Sequence, residues 1–395
     1  MPSALHVLIG AFLSDRHSPN PLGDRGSYWG RRVSDLSQIE PKELAESVVV
    51  IEPWEHVGER PHDRVGVVAS ENVAYLVDQV LGIPTLIVPA WKYEISDLKN
   101  IAALATLSRL VVLEGGEPDV HLPETFSTSF PRSAATTLIK EFLLRQTPFI
   151  GICLSHQLTA QAHMEVIRES VEQLENSASP AFQDVAVRIR EMGERLRVEK
   201  GYGTVAGSWE EDSFAVAKNE AVSLEQTRLY PYRDIELDHI PTEIREAYRV
   251  VATHHDAIID VALQYENDLH IQAFHGNEVS RESMCFACWA YQQLRHVFTA
   301  YKLEAAADPN LQQLMGLPLG VEILASTHTL DGDPLCEVAA SGIHWEHGQN
   351  ALTTQFHPEL DASLQTASEG WAPTWEAMKD SDGIRLFFRI LKSIL

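Results

Sequence analysis

The sequence predicts an α/β protein with a largely parallel central sheet. Short β-branched and aliphatic runs alternate with helix-length segments as far as about residue 160. Several of those runs, Val48–Ile51 among them, are apolar at every position. Strands read this way when helices cover both faces of the sheet, whereas a half-exposed strand alternates.

The expected strands of the first part of the chain are Leu5–Leu13, Val48–Ile51, Val65–Val68, Thr85–Val88, Leu110–Leu113 and Phe149–Cys153. Ala135, Leu138 and Phe142, spaced by three and four, mark a helix between the last two. Ser14–Arg32 is rich in Gly, Pro, Ser and Arg and reads as a loop. From about Glu165 to Tyr248 the pattern becomes charged helix with interruptions, and Phe182, Val185, Ile189, Met192 and Leu196 form one apolar stripe. Strand-like sequence returns at Tyr248–Ala252, Ile258–Ala262 and His270–Phe274. A helix is expected from about Arg281 to Ala306, and Ile384, Phe387, Leu391 and Ile394 have the spacing of a final docked helix.

Thirty-one Lys and Arg against 56 Asp and Glu leave a formal charge of −25. That balance argues against nucleic acid as a partner, since phosphate neutralisation needs a basic surplus. No run approaches the roughly 18–20 apolar residues of a membrane helix. No basic residue precedes Leu5–Leu13 and no cleavage-like site follows it, so a strand is expected there and not a signal peptide. Four cysteines in 395 residues are too few for a disulfide scaffold and suit a reducing cytoplasm.

Three segments carry chemistry. In Pro148-Phe-Ile-Gly-Ile-Cys-Leu-Ser-His-Gln157 an apolar strand runs into a helix-compatible stretch through Gly151-x-Cys153-x-Ser155. This is the spacing of a strand-to-helix elbow, in which residues two positions either side of the nucleophile must be small. A helix N-terminus there favours thiolate over thiol. An isolated cysteine at a strand end is ordinarily a small buried hydrophobe, so the assignment depends on the other two segments. Leu110-Val-Val-Leu-Glu-Gly-Gly-Glu-Pro118 ends a strand in two glycines that let backbone N–H groups reach a bound oxygen. Gly116 and Leu154 are the expected donors of an oxyanion hole. In Leu352-Thr-Thr-Gln-Phe-His-Pro-Glu359, Pro358 holds His357 extended, so His357 and Glu359 project to the same side. The carboxylate can then fix the imidazole tautomer that accepts a thiol proton.

Taken in their order along the chain, the glycine pair, the elbow and the Phe356-His357-Pro358-Glu359 segment resemble the class I glutamine amidotransferase family, whose elbow reads Gly-x-Cys-x-Gly-x-Gln. Ser155 replaces the second glycine, Glu117 intrudes between the glycine pair and Pro118, and the separation of Cys153 from His357 is long. The resemblance implies a flavodoxin-like three-layer sandwich with large helical insertions. It divides the chain into an N-terminal extension (1–63), a core with the elbow (64–164), a helical insertion (165–245), core strands (246–275), a second insertion (276–349) and a closing core segment (350–395). It implies Cys153 as nucleophile, His357 as acid and base, and Glu359 as its orienting group. Gly115, Gln157 and His254 are then the residues expected around the substrate, His254 through a weaker echo at Val250–Asp256.

The implied activity is release of ammonia from glutamine through a Cys thioester, for use by an acceptor enzyme. No Walker-A or Ser-Gly-Gly-x-Asp-Ser phosphate loop is present to activate an acceptor. A separate acceptor subunit is therefore one expectation, and a γ-glutamyl hydrolase or peptidase using the same triad is the other. A catalytically idle scaffold subunit, and assembly as a homo-oligomer, stay open. No metal or cofactor is expected. Cys285-x-x-Cys288 falls in a helix rich in aromatic residues and reads as core, and His254-His255 on a strand would face opposite ways.

Overall fold

The structure, a computed structural model, describes residues 31–33, 36–52, 70, 73–90, 93, 97–116, 118–126, 130–199, 212–218, 225–231, 237, 240–254, 269–273, 277–302, 308–328, 331, 334–348, 350–359 and 382–395. In chain order its strands are β1 (Arg31–Arg32), β2 (Val48–Glu52), β3 (Thr85–Pro89), β4 (Leu110–Leu113), β5 (Phe149–Ile152), β6 (Val216–Lys218), β7 (Glu225–Pro231), β8 (Leu269–Ala273), β9 (Asn277–Val279), β10 (Gly320–His328), β11 (Pro334–His344) and β12 (Asn350–Thr354). The helices that matter below are α1 (Leu98–Ala105), α2 (Arg132–Leu144), α3 (Leu154–Glu175), α4 (Pro180–Glu199), α5 (Thr242–His254), α6 (Arg281–Ala300) and α7 (Asp382–Ile394).

One sheet runs β1-β3-β2-β4-β5-β12-β11-β10-β7-β8, and β6 pairs with β9 in a separate small sheet. The pairs from β1 through β12 are parallel, and those from β12 outward to β8 are antiparallel. Within the parallel half, β3-β2-β4-β5-β12 is the 2-1-3-4-5 order of flavodoxin-like sheets, in which ligands bind beyond the carboxyl ends of the strands.

The parallel strands bury both faces. Val49, Ile51, Val111 and Phe149 join one apolar cluster with residues of α1, α2, α3, α4 and α6. Val48, Val50, Val112 and Ile150 join the other, which Val73–Val77 and Ile384, Phe387 and Leu391 of α7 cover. Three layers result, as the uninterrupted apolar runs require. Among the described residues no helix is long and apolar enough to cross a membrane.

Several expectations are corrected. Tyr248–Ala252 is helix, not strand, because Ile244, Tyr248 and Val251 recur by four and three and are buried while Val250 faces solvent. His254, the last residue of α5, therefore stands on a helix and not on a core strand. Arg31 and Arg32 leave the expected loop to pair with Leu86 and Ile87. The strand at residue 149 stops at Ile152, and α6 ends at Ala300, not Ala306. Helix α3 runs unbroken across the boundary expected at 164/165. The segment 276–349 supplies β10 and β11 of the main sheet besides α6. The strands expected at Leu5–Leu13, Val65–Val68 and Ile258–Ala262 lie outside the described residues.

The apolar stripe of α4 is covered within this chain. Phe182 meets Phe298 and Tyr301 edge-on, at centroid distances of 6.1 and 5.8 Å, and Arg190 forks onto both oxygens of Glu175 at 3.0 Å. Cys285 and Cys288 are fully buried on α6.

Candidate active site

Strands β4, β5 and β12 are neighbours or next neighbours in the sheet, and all three end on the same side. Their carboxyl ends deliver the three segments singled out in the sequence to one place. Cys153 follows β5 directly and caps α3 with φ 50° and ψ −105°. A positive φ on a residue with a Cβ costs of order 1–3 kcal/mol, and such strain is kept where the surroundings over-determine it. Here they do. The Cys153 N–H donates to Thr354 O at 2.6 Å, while its carbonyl accepts from His156 and Gln157 as the first turn of the helix begins.

The small residues of the elbow are required by contact. A Cβ on Gly151 would lie 2.9 Å from Thr353 Cγ2 on the adjacent strand. Ser155 is small enough for the turn and has a task of its own: its hydroxyl donates to Glu114 O at 2.5 Å, tying the elbow helix to the end of β4. His156 is buried under the elbow, with Nδ1 at 2.6 Å from Thr353 Oγ1 and Nε2 at 2.9 Å from Val338 O. A carbonyl can only accept, so Nε2 carries the proton and His156 serves as a cross-brace between α3 and the sheet.

Gly115 lies between Cys153 and His357. A Cβ there would be 2.9 Å from Cys153 Cβ and 2.8 Å from His357 Cε1. Any side chain would push the sulfur and the imidazole apart. Gly116 follows, half-buried, and Leu154 is the first residue of α3, where backbone N–H groups have no partner within the helix.

His357 and Glu359 are joined by Nδ1···Oε1 at 2.8 Å, and both are buried. With Nδ1 donating to the carboxylate, Nε2 is the nitrogen available to Cys153, with which the imidazole also hydrogen-bonds. Burial alone would lower the His357 pKa. The Cys153 and Glu359 charges and the hydrogen bonds to both outweigh it, so the imidazole is held well above its usual value near 6.5. The arrangement can stabilise a thiolate beside an imidazolium, and the imidazolium can hand a proton to a leaving nitrogen.

Behind this pair lie two further carboxyl groups, Glu52 at the end of β2 and Glu114 after β4, both almost fully buried. Glu52 is neutralised by Arg32 at 2.6 Å and accepts from Ser70 Oγ at 2.7 Å. Burial first, then the charges of Glu52 and Glu359, push the Glu114 carboxyl well above the ordinary range, against the smaller opposing pull of Ser70 and Arg32.

Gln157 is buried, and its Nε2 lies 3.2 Å from both Asn277 O and Gln355 Oε1. Gln355 Nε2 in turn lies 3.8 Å from Cys153 Sγ. Sequence reasoning missed Gln355, although it stands two residues before His357, in the bend that follows β12. It also missed Asn277, Glu114, Glu52 and Ser70, which reach the site only through the fold. His254 ends α5, which packs on α6 and β10.

The sequence pattern of the family described as "Glutamine amidotransferase class-I" matches residues 87–279, a span holding Gly115, Gly116, Cys153 and Gln157 but not His357 or Glu359. No curated protein matches the chain. Among solved structures it is similar to a glutamine amidotransferase from Thermotoga maritima, at 13% identity and TM-score 0.36 over 88% of this chain and 92% of that one. It is also similar to the glutaminase domain of Trypanosoma brucei CTPS with bound acivicin, at 11% identity and TM-score 0.39 over 88% and 94%. A glutamine amidotransferase from Methylobacillus flagellatus gives 12% identity and TM-score 0.35 over 89% and 96%. Residues 87–279, which hold the elbow and the strands beside it, are thus similar to a class I glutamine amidotransferase domain.

Proposed function

We propose that the chain hydrolyses the side-chain amide of glutamine through a Cys153 thioester and yields ammonia to an acceptor enzyme. The observation that carries the reading is the contact of Cys153 and His357 across Gly115, with Glu359 bonded to the far side of the imidazole. Cys153 Sγ attacks the carboxamide carbon, and the resulting oxyanion is met by the N–H groups of Gly116 and Leu154. The C–N bond breaks as His357 gives its proton to the departing ammonia. His357 then takes a proton from water, hydroxide adds to the thioester carbon, and the C–S bond breaks to release glutamate and restore the thiol. Glu359 keeps Nε2 facing the sulfur throughout.

An idle scaffold would have no use for a strained Cys153, and the positive φ favours an active member. The test is ammonia release from glutamine set against a panel of γ-glutamyl amides, with Cys153→Ala as control. Glutamine as the best substrate supports the proposal. Preference for γ-glutamyl peptides replaces it with a γ-glutamyl hydrolase, and no turnover of any amide overturns it.

A further inference from the structure

One residue of the inserted sequence bonds both to the elbow helix and to the segment after the glycine pair. Asn277, in β9 of the small β6–β9 sheet, is 5% exposed and bonds in two directions. Its Nδ2 donates to Asp119 Oδ1 at 2.9 Å, and its carbonyl accepts from Gln157 Nε2 at 3.2 Å. Asp119 organises the segment that follows Gly115-Gly116. The same Oδ1 accepts from His121 N at 2.8 Å, and Asp119 N donates to Thr125 Oγ1 at 2.9 Å. Arg132 fastens this segment to α2 through Val120 O at 2.5 Å. Gln157 stands on the elbow helix, and its amide meets Gln355, which reaches the sulfur.

Strand β9 is itself anchored. Val279 pairs with Val216, the Ser280 N–H donates to Ala215 O at 2.9 Å, and the Ser280 hydroxyl caps α6 by accepting from Ser283 N. Asn277 is thus a fixed point between the loop carrying Gly116 and the helix carrying Leu154.

We propose that Asn277 is a positioning residue that sets the spacing of the two oxyanion donors, clamping the Gly116 loop through Asp119 against the elbow helix. The inference rests on the function proposed above. An oxyanion exists only after the thiolate attacks an amide, so loosening the clamp affects amide turnover and spares a reaction that makes no oxyanion. Displacement of a catalytic donor by about 1 Å is enough for a loss of about 100-fold.

The test uses the full chain with glutamine as substrate. Asn277→Ala is expected to lower kcat by about 10- to 100-fold while KM changes by less than about threefold. The rate at which iodoacetamide alkylates Cys153 is expected to stay within about twofold of the parent. Asn277→Asp sets two carboxylates against each other and is expected to lose more. Asp119→Ala removes the same bond from its other end, and the double variant Asn277→Ala/Asp119→Ala is expected to keep a kcat within about threefold of Asp119→Ala alone. Losses that multiply in the double variant, or alkylation that falls in step with kcat, overturn the proposal. If Asn277→Ala does not fold, Asp119→Ala decides with the same two readouts, kcat lost and alkylation retained.

Failure of the functional reading is distinguishable: the unaltered chain would then hydrolyse no amide. In that event the clamp is judged by hydrogen exchange of residues 118–122. Faster exchange in Asn277→Ala supports it, and equal exchange overturns it.

Discussion

Cys153 and Cys288 are both buried thiols with glutamine side chains beside them, at 3.8 and 3.6 Å. Their settings differ in everything else. Cys288 lies in the middle of α6 among apolar residues, where burial pushes its thiol up to about 12. Cys285, one turn before it, is pushed up for the same reason. Cys153 occupies a strained turn at a helix N-terminus and faces an imidazole whose other nitrogen is held by a carboxylate. On the function proposed above, burial does not by itself separate a reactive thiol from an inert one. A cation able to pair with the thiolate does, and the helix dipole adds to it.

The largest expected effect breaks that comparison most directly. Cys153→Ala should lower amide turnover by several orders of magnitude, about 10⁴-fold or more. Cys288→Ala should leave kcat within a few-fold and cost about 1–2 kcal/mol of stability through lost packing. Steady-state kinetics with denaturant melts checks both, and comparable kinetic losses in the two variants would contradict the contrast drawn here.

Next in size is the imidazole. His357→Ala should cost about 10³-fold in kcat and Glu359→Ala less, since the second removes orientation and leaves the proton carrier in place. Iodoacetamide labelling of Cys153 at pH 7 should slow in His357→Ala while labelling of Cys285 and Cys288 stays negligible. Peptide mapping of the labelled protein reads this out.

The raised His357 pKa predicts a pH effect with a definite sign. The imidazolium form persists above pH 6.5, so kcat/KM should hold through neutrality and fall on the alkaline side as that proton is lost. In Glu359→Gln the fall should move to lower pH, because the carboxylate charge contributes to the elevation. Since the pKa is higher folded than unfolded, its share of stability is complete below about 6.5 and is lost as pH rises through the folded value.

The smallest effect concerns Glu114. Its folded pKa is raised above that of the unfolded chain, so its contribution favours folding at low pH and declines as pH rises above about 4.3. Glu114→Gln keeps the shape and cannot ionise. It should raise Tm at pH 7.5 relative to the parent and leave Tm at pH 4 nearly unchanged, as a thermal melt at each pH shows.

Much of the parallel half was legible because its signals are local. Val48–Ile51, Leu110–Leu113 and Phe149–Ile152 announce buried strands by composition, and the elbow, glycine pair and His-Pro-Glu segment lie at the ends of such strands. The antiparallel half was less so. Tyr248–Ala252 looks like a strand over five residues and is helix because the apolar period from Ile244 to Val251 governs it. Strands β10 and β11 sit in a stretch expected only as an insertion, and their place beside β12 is fixed by pairing with residues on either side.

The amino-acid sequence by itself determined the layered α/β class, the nucleophile candidate with its small neighbours, and the two-residue spacing that lets Glu359 bond His357. Those features depend on contacts within a few residues, and side-chain type and backbone period decide them. Only the tertiary structure decided that Gly115 separates the sulfur from the imidazole, that Ser155 ties the elbow to Glu114, that burial beside Glu52 and Glu359 raises the Glu114 pKa, and that Asn277 reaches the site. Each of these joins residues that are distant along the chain and adjacent only once the strands have paired. A contact whose partner is chosen by sheet order leaves no periodic mark in the sequence.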